Sequence, residues 1–224
     1  MDQYFYFIIV GAILGEYILS TLSSILNMNS IDEKVPEGFE DYYDKGKYSR
    51  SQLYLKEKTF FGLFSSTFSL IVVLFVIHAG LFGSLDNLVS EYTNNQIIRG
   101  LLFFGALFFI NDFINIPFSL YSTFIIEEKF GFNKTTYKTY ILDKFKAYGL
   151  TIILGSAIIS PILYFFETYS NNGWIIAWIV VTCFIIAIQP LFVHVIAPLF
   201  NKFTSLENGE LRTAIEKFAD KVNF

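Results

Sequence analysis

The stretch "IIEEKFGFNKTTYKTYILDKFK" (residues 125–146) is a polar interruption between two long apolar runs, and its reading decides the fold. Glu127 and Glu128 close the preceding run at the membrane face. Gly131 stands where a helix stops, at the position that favours the left-handed backbone conformation. Asn133, or Thr135 just after it, supplies an oxygen to cap a new helix. Tyr137, Tyr140, Ile141, Lys144 and Tyr148 then recur three and four apart, with Phe145 beside them, which puts one aromatic face on that helix. The spacing predicts a helix stop, a tight break and an amphipathic helix that continues into the next apolar run. A helix lying flat on lipid headgroups is the competing reading of the same stripe. The Asn-Lys-Thr sequon inside the break (133–135) carries no sugar if the segment is cytoplasmic.

Outward from this break, the composition is that of a membrane protein: 54% of residues are hydrophobic and 16% charged, with a mean hydropathy of +0.50. Five runs, 4–26, 60–82, 98–124, 149–166 and 174–199, approach or exceed the roughly 20 helical residues a bilayer requires. The fourth is the shortest and needs a thinner bilayer or help from its flanks. Open sheets cannot span lipid, and no period-two alternation runs through these segments. The expected fold is all-α, a polytopic protein with five transmembrane helices. The expected division is a membrane domain over 1–200 and, over 201–224, the first amphipathic helix of a cytoplasmic domain. "MDQYFYF" lacks a positive n-region, so a cleaved signal peptide is not expected.

Basic residues set an orientation. Counted segment by segment from the N-terminus, the connecting segments hold zero, six, zero, five, zero and four Lys or Arg. The rich segments are 27–59, 125–148 and the tail, and positive charge marks the cytoplasmic side. The N-terminus is therefore expected outside and the C-terminus in the cytoplasm, in a bacterial plasma membrane or the endoplasmic reticulum. In 27–59, Tyr48, Gln52 and Lys56 recur at i+4 and predict a helix continuing into the second span. A net charge of −4 gives no reason to expect nucleic acid as a partner; the expected partner is the lipid bilayer. The single cysteine, Cys183, cannot form an intrachain disulfide.

Polar side chains at membrane depth are costly and point to a wet interior. Glu16 lies mid-span in the first run and His78 late in the second. Asn111, Asp112, Asn115 and Ser119 share one side of the third, which Pro117 is expected to kink. Gln189 and His194 lie in the fifth, which also carries Pro190 and Pro198. Helix-to-helix hydrogen bonding explains each of these singly. Together Glu16, Asn111, Asp112, Asn115, Gln189 and His194 are read as facing one chamber. No H-E-x-x-H occurs in the chain and Cys183 has no ligand neighbour, so no metal or catalytic site is assigned within it. Glutamate-type intramembrane proteases follow their paired glutamates with an arginine, whereas Lys129, Phe130, Gly131 and Phe132 follow here.

In the tail, Thr204 and Glu207 have capping-box spacing. Leu211, Ile215, Phe218 and Val222 make an apolar stripe on an otherwise charged helix, which requires a partner surface.

The run "IEEKFGFNKTT" (126–136) resembles the integral-membrane zinc endopeptidases of the CAAX prenyl protease type I family. "YSRSQLYLKEKTFFGL" (48–63) and "IAPLFNKFTSLENGELRTAIEKFA" (196–219) resemble the same family in the same order, so the likeness covers nearly the whole chain. It implies seven membrane helices in an α-barrel around a polar chamber, of which the five transmembrane helices here would form part, with a catalytic domain between the fifth and sixth. It also implies zinc on the two histidines of H-E-x-x-H and a downstream glutamate, with the motif's own glutamate as general base. Those ligands would lie beyond residue 224, so the cofactor expected within this chain is none. On that reading Glu127, Glu128, Gly131, Phe132 and Asn133 shape a cytoplasmic hinge flanking the chamber. The expected function is the N-terminal membrane region of such an endopeptidase, which acts on prenylated or other membrane-associated peptides. These residues alone would be inactive, with the catalytic half as a possible partner on another chain. The alternatives are a non-enzymatic five-helix scaffold or binding protein and a channel or transporter subunit.

Overall fold

The computed structural model describes residues 3–169 and 172–222. Residues 170–171 of the basic-free 167–173 loop, and residues 223–224 at the end of the predicted tail segment, lie outside the described residues. Helices account for the regular structure throughout, and no strand occurs among the described residues. Five helices are long and apolar enough to span a bilayer. Lipid supplies no hydrogen bonds to the main chain, and a helix satisfies its own.

Helix α1 (Gln3–Asn29) packs on α2 (Lys45–His78), where the Tyr17 and Thr67 hydroxyls are 2.7 Å apart. Asp44 caps α2 by accepting from the Lys47 N–H at 2.8 Å. The 34 residues of α2 rise about 51 Å at 1.5 Å each, against roughly 30 Å of hydrocarbon. The excess is the polar first part of the helix, so the predicted continuity from 27–59 into the second span holds. The span itself ends four residues earlier than expected, at His78, where Gly80 turns the chain at φ 67°.

The 83–97 region is not a simple loop. It lies largely in a short helix, α3 (Leu81–Tyr92), whose Leu85, Leu88 and Val89 recur at helical spacing, with Val89 4% exposed. Asp86 on α3 accepts two bonds from the Arg99 guanidinium, one at 2.9 Å. The same contact holds the Asp86 carboxyl below the usual aspartate range and latches α3 to α4 (Gln96–Phe130). Asn95 caps α4 through its side-chain oxygen, which accepts from Ile97 and Ile98.

Pro117 lies inside α4, and the following Ser122–Glu127 is wound as a π-helix. Proline has no N–H to donate, and local rewinding accommodates the broken ladder. The same pairing recurs in α6 (Gly173–Phe200), where Pro190 precedes the π-helical Phe192–Ile196. Between them, α5 (Tyr137–Thr168) is one continuous helix, so the predicted amphipathic segment does run into the fourth span. Gly173 opens α6 against the preceding turn: a Cβ there would sit 2.6 Å from the Phe165 carbonyl oxygen.

The chain groups into two compact units, Met1–Ile141 and Leu142–Phe224, divided within α5. The tail helix α7 begins at Glu210, after an extended Gly209. The predicted Thr204–Glu207 capping box is therefore not formed. A helix begun at Thr204 would carry Gly209 internally at about 1 kcal/mol relative to Ala, and the chain starts its helix after that residue. The apolar stripe survives on α7: Leu211 and Phe218 are each about two-thirds exposed.

Candidate functional site

The five hinge residues read from the sequence converge where α4 ends. Gly131 adopts φ 75°, ψ 22°. Its N–H donates to the Glu128 carbonyl at 3.0 Å, and the Phe132 N–H donates to the Glu127 carbonyl at 2.8 Å. These two bonds make a Schellman motif, which satisfies carbonyls that the helix end leaves without partners. The Asn133 N–H also reaches the Glu127 carbonyl, at 3.2 Å. The Asn133 side chain spans the break, donating to the Glu128 carboxylate at 3.0 Å and accepting from the Thr135 N–H at 2.7 Å.

The expected cap is corrected. Neither Asn133 nor Thr135 caps α5. Thr136 does, accepting from the Thr139 N–H at 3.2 Å, because Asn133 is already committed to the turn. Beyond the cap, α5 folds back on α4: Phe124 stacks on Tyr137 at 3.9 Å, and the Tyr140 hydroxyl donates to Ser119 at 3.1 Å.

The polar part of α2 braces this turn with residues that the sequence reading did not select. Lys58 pairs with Glu127 at 3.2 Å and Lys129 with Glu57 at 2.6 Å, so acid and base alternate across the two helices. Arg50 donates to the Lys129 carbonyl at 3.4 Å. The Tyr54 ring lies 5.5 Å from Phe130 and 4.6 Å from Phe132. Ile126, 1% exposed, is the most enclosed side chain of the junction. Each ion pair is half open to solvent, so each is worth at most about 1 kcal/mol; the rings and Ile126 supply the rest. The signal was present in the sequence: Arg50, Tyr54, Glu57 and Lys58 fall at i, i+4, i+7 and i+8 on one helical face.

Among the chamber candidates, Asn115 donates to the Asn111 carbonyl at 2.8 Å and to its side-chain oxygen at 3.2 Å. Asp112 is half-buried and engaged by a neighbour. Glu16 is exposed on α1, next to the Tyr17 that faces α2. Gln189 and His194 are exposed on α6, and the His194 ring nitrogen Nδ1 is 2.9 Å from the Pro190 carbonyl. The first four belong to one compact unit and the last two to the other. Among the described residues no three His, Cys, Asp or Glu side chains gather as a metal set. The donors a zinc ion needs are not assembled by these residues.

Fold and site together define a polytopic helical membrane protein whose third and fourth spans meet at a braced, capped hinge. Residues 24–202 match the family described as CAAX prenyl protease N-terminal, five membrane helices. The chain is 35% identical over 205 residues to the Probable CAAX prenyl protease 1 of Schizosaccharomyces pombe, covering 86% of this chain and 43% of the relative. It is 30% identical over 233 residues to the CAAX prenyl protease 1 of Saccharomyces cerevisiae, covering 97% and 50%. The crystal structure of S. mikatae Ste24p matches with a TM-score of 0.86 at 29% identity, over 97% of this chain and 53% of that one. The chain belongs to the CAAX prenyl protease family. It spans about half the length of the relatives it matches.

Proposed function

We propose that these residues form the membrane-embedded N-terminal part of a zinc metalloendopeptidase that cleaves prenylated or other membrane-associated proteins. The observation that carries this reading is the family match over 24–202, a range that includes the hinge and all of α2, α4, α5 and α6. In this reading the five spans supply part of a chamber wall, toward whose interior Glu16, Asn111, Asp112, Asn115, Gln189 and His194 turn. A carboxylate facing hydrocarbon instead would cost a few kcal/mol, about 3 on insertion scales. The hinge fixes where α5 starts and offers its cytoplasmic face to the catalytic part of the enzyme, and that catalytic part covers the stripe on α7. The N-terminus lies outside, with 27–59, 125–148 and 201–224 cytoplasmic, in a bacterial plasma membrane or the endoplasmic reticulum. The zinc ligands and the general base lie outside residues 1–224, on the same or another chain.

The test compares two purified proteins: the product of the open reading frame that encodes these residues, carried to its natural stop, and a polypeptide of residues 1–224 alone. Zinc content and cleavage of a farnesylated C-terminal peptide are measured for both. The expected result is chelator-sensitive cleavage by the first and neither zinc nor cleavage with the second. One zinc per chain in the short polypeptide, lost on His194→Ala, would overturn the placement of the metal. A natural-length product with neither metal nor cleavage would overturn the protease reading in favour of a five-helix scaffold.

A further inference from the structure

Two cavities lie side by side where α2 enters its apolar stretch, and Glu57 and Phe60 line both. The first, about 580 Å³, is walled by Phe61 and Phe64 of α2 and by Phe118 and Tyr121 of α4. Its rings are continuous: Phe61 stacks on Tyr121 at 4.8 Å, and Phe118 lies 6.2 Å from Phe61 and 6.1 Å from Phe64. Pro117 is also in the wall, so the helix distortion and the groove occur together. Among the described residues, Glu57 is the only charged one lining this cavity. The second, about 560 Å³, adds Leu53, Lys56, Lys129 and Phe130. Both volumes fall within the roughly 300–1,000 Å³ of small-molecule sites.

The sequence sets their depth. After Lys58, α2 carries no Lys, Arg, Asp or Glu to its end at His78. The aromatic cavity therefore opens at hydrocarbon level and its neighbour at headgroup level. The charges are also specific. Glu57 is neutralised by Lys129 at 2.6 Å, while Lys56 is exposed and leaves one surplus positive charge at the rim. An apolar slot of aromatic rings beneath a cationic rim matches a molecule with a hydrocarbon chain attached to a phosphate. A helix of another protein would need a groove open along its length.

We propose that the paired cavities hold one phospholipid, with an acyl chain between Phe61, Phe64, Phe118 and Tyr121 and the phosphate against Lys56 and Lys129. The lipid fills the gap beside Pro117 and ties α2 to the end of α4, so the bilayer's own lipid becomes part of the hinge. This inference requires only that the helices span a membrane and does not depend on the protease reading.

The test uses the natural-length protein in detergent, with Trp174, Trp178 and every tryptophan outside residues 1–224 replaced by Phe as background. The single tryptophan is placed either in the groove, by Phe64→Trp, or further along α2, by Phe75→Trp. Both native side chains are similarly exposed, at 61% and 62%, and circular dichroism checks that each variant retains its helices. The probe is phosphatidylglycerol with brominated acyl chains, which quenches tryptophan on contact. Saturable quenching is expected for Phe64→Trp, with only a linear, non-saturating response for Phe75→Trp. Lys56→Gln on the Phe64→Trp background should raise the half-saturating lipid concentration about fivefold, the loss expected for one basic residue near a lipid phosphate. Brominated diacylglycerol, which lacks the phosphate, should bind weakly and ignore Lys56→Gln. Indistinguishable curves for the two tryptophan positions, no effect of Lys56→Gln, or equal saturation by diacylglycerol would each overturn the proposal.

Discussion

Gly131→Ala isolates the backbone contribution of the hinge. At φ 75° the position lies in the left-handed region, where a residue with a Cβ is disfavoured by roughly 1–2 kcal/mol. Crowding adds little, because the nearest atom to a new Cβ is the mobile tip of Arg50, Nη2, at an ordinary 3.5 Å. Alanine also narrows the unfolded ensemble, which returns about 0.4–1 kcal/mol. The expected net loss is about 1 kcal/mol, equivalent to about 2–4 °C in a protein of this size. Gly131→Asn should lose less, since asparagine tolerates this conformation. Gly62→Ala is the control: it lies inside α2 with open space around its Cβ position, and alanine is the better helix former. Thermal unfolding of purified protein, followed by intrinsic fluorescence, reads all three. An unchanged midpoint for Gly131→Ala, or a fall for Gly62→Ala as large as for Gly131→Ala, would refute the argument that the left-handed turn sets this junction.

Two further expectations concern charge. Lys58→Glu and Glu127→Lys should each destabilise the hinge, and the double exchange should restore most of the loss. The coupling should be below about 1 kcal/mol and should fade in 1 M salt, where the screening length is about 3 Å; coupling that is absent at low salt, or unchanged at high salt, would contradict the geometry. For topology, single cysteines placed on a Cys183→Ser background should differ towards a membrane-impermeant maleimide in intact cells or sealed vesicles. Ser90→Cys should label from outside and Ser30→Cys should be protected, and the reverse pattern would overturn the orientation taken from the basic residues.

The parts of the fold visible in the sequence are those governed by one-dimensional constraints. A bilayer admits only self-satisfied helices of sufficient length, so five apolar runs give five spans. Gly131 was legible because a left-handed stop after two glutamates requires nothing beyond local chain geometry. The partner face of α2 was not. Its periodic residues support two stripes, Tyr48–Gln52–Lys56 and Arg50–Tyr54–Glu57–Lys58, and local spacing does not say which one another helix will meet. The structure gives the second to the hinge, while Gln52 faces a different cavity shared with Ser24 and Asn27 of α1. The capping errors have a related cause. Thr204 and Asn133 have the right chemistry, but the first is followed by a glycine that delays its helix and the second is already engaged by Glu128 and Thr135.

The hinge is also over-determined in a way that single motifs do not reveal. The Schellman bonds and Asn133 fix the direction in which the chain leaves α4. The Thr136 cap fixes where α5 begins, and the Tyr137 and Tyr140 contacts to Phe124 and Ser119 fix its return. Pro117 and the π-helical turn act in the opposite sense, because they remove regular helix bonds just before this junction and leave α4 its weakest stretch there. The groove beside Pro117 lies at that point. The phospholipid proposed there would touch α4 at this stretch and, at Glu57 and Lys129, one of the two ion pairs that brace the hinge.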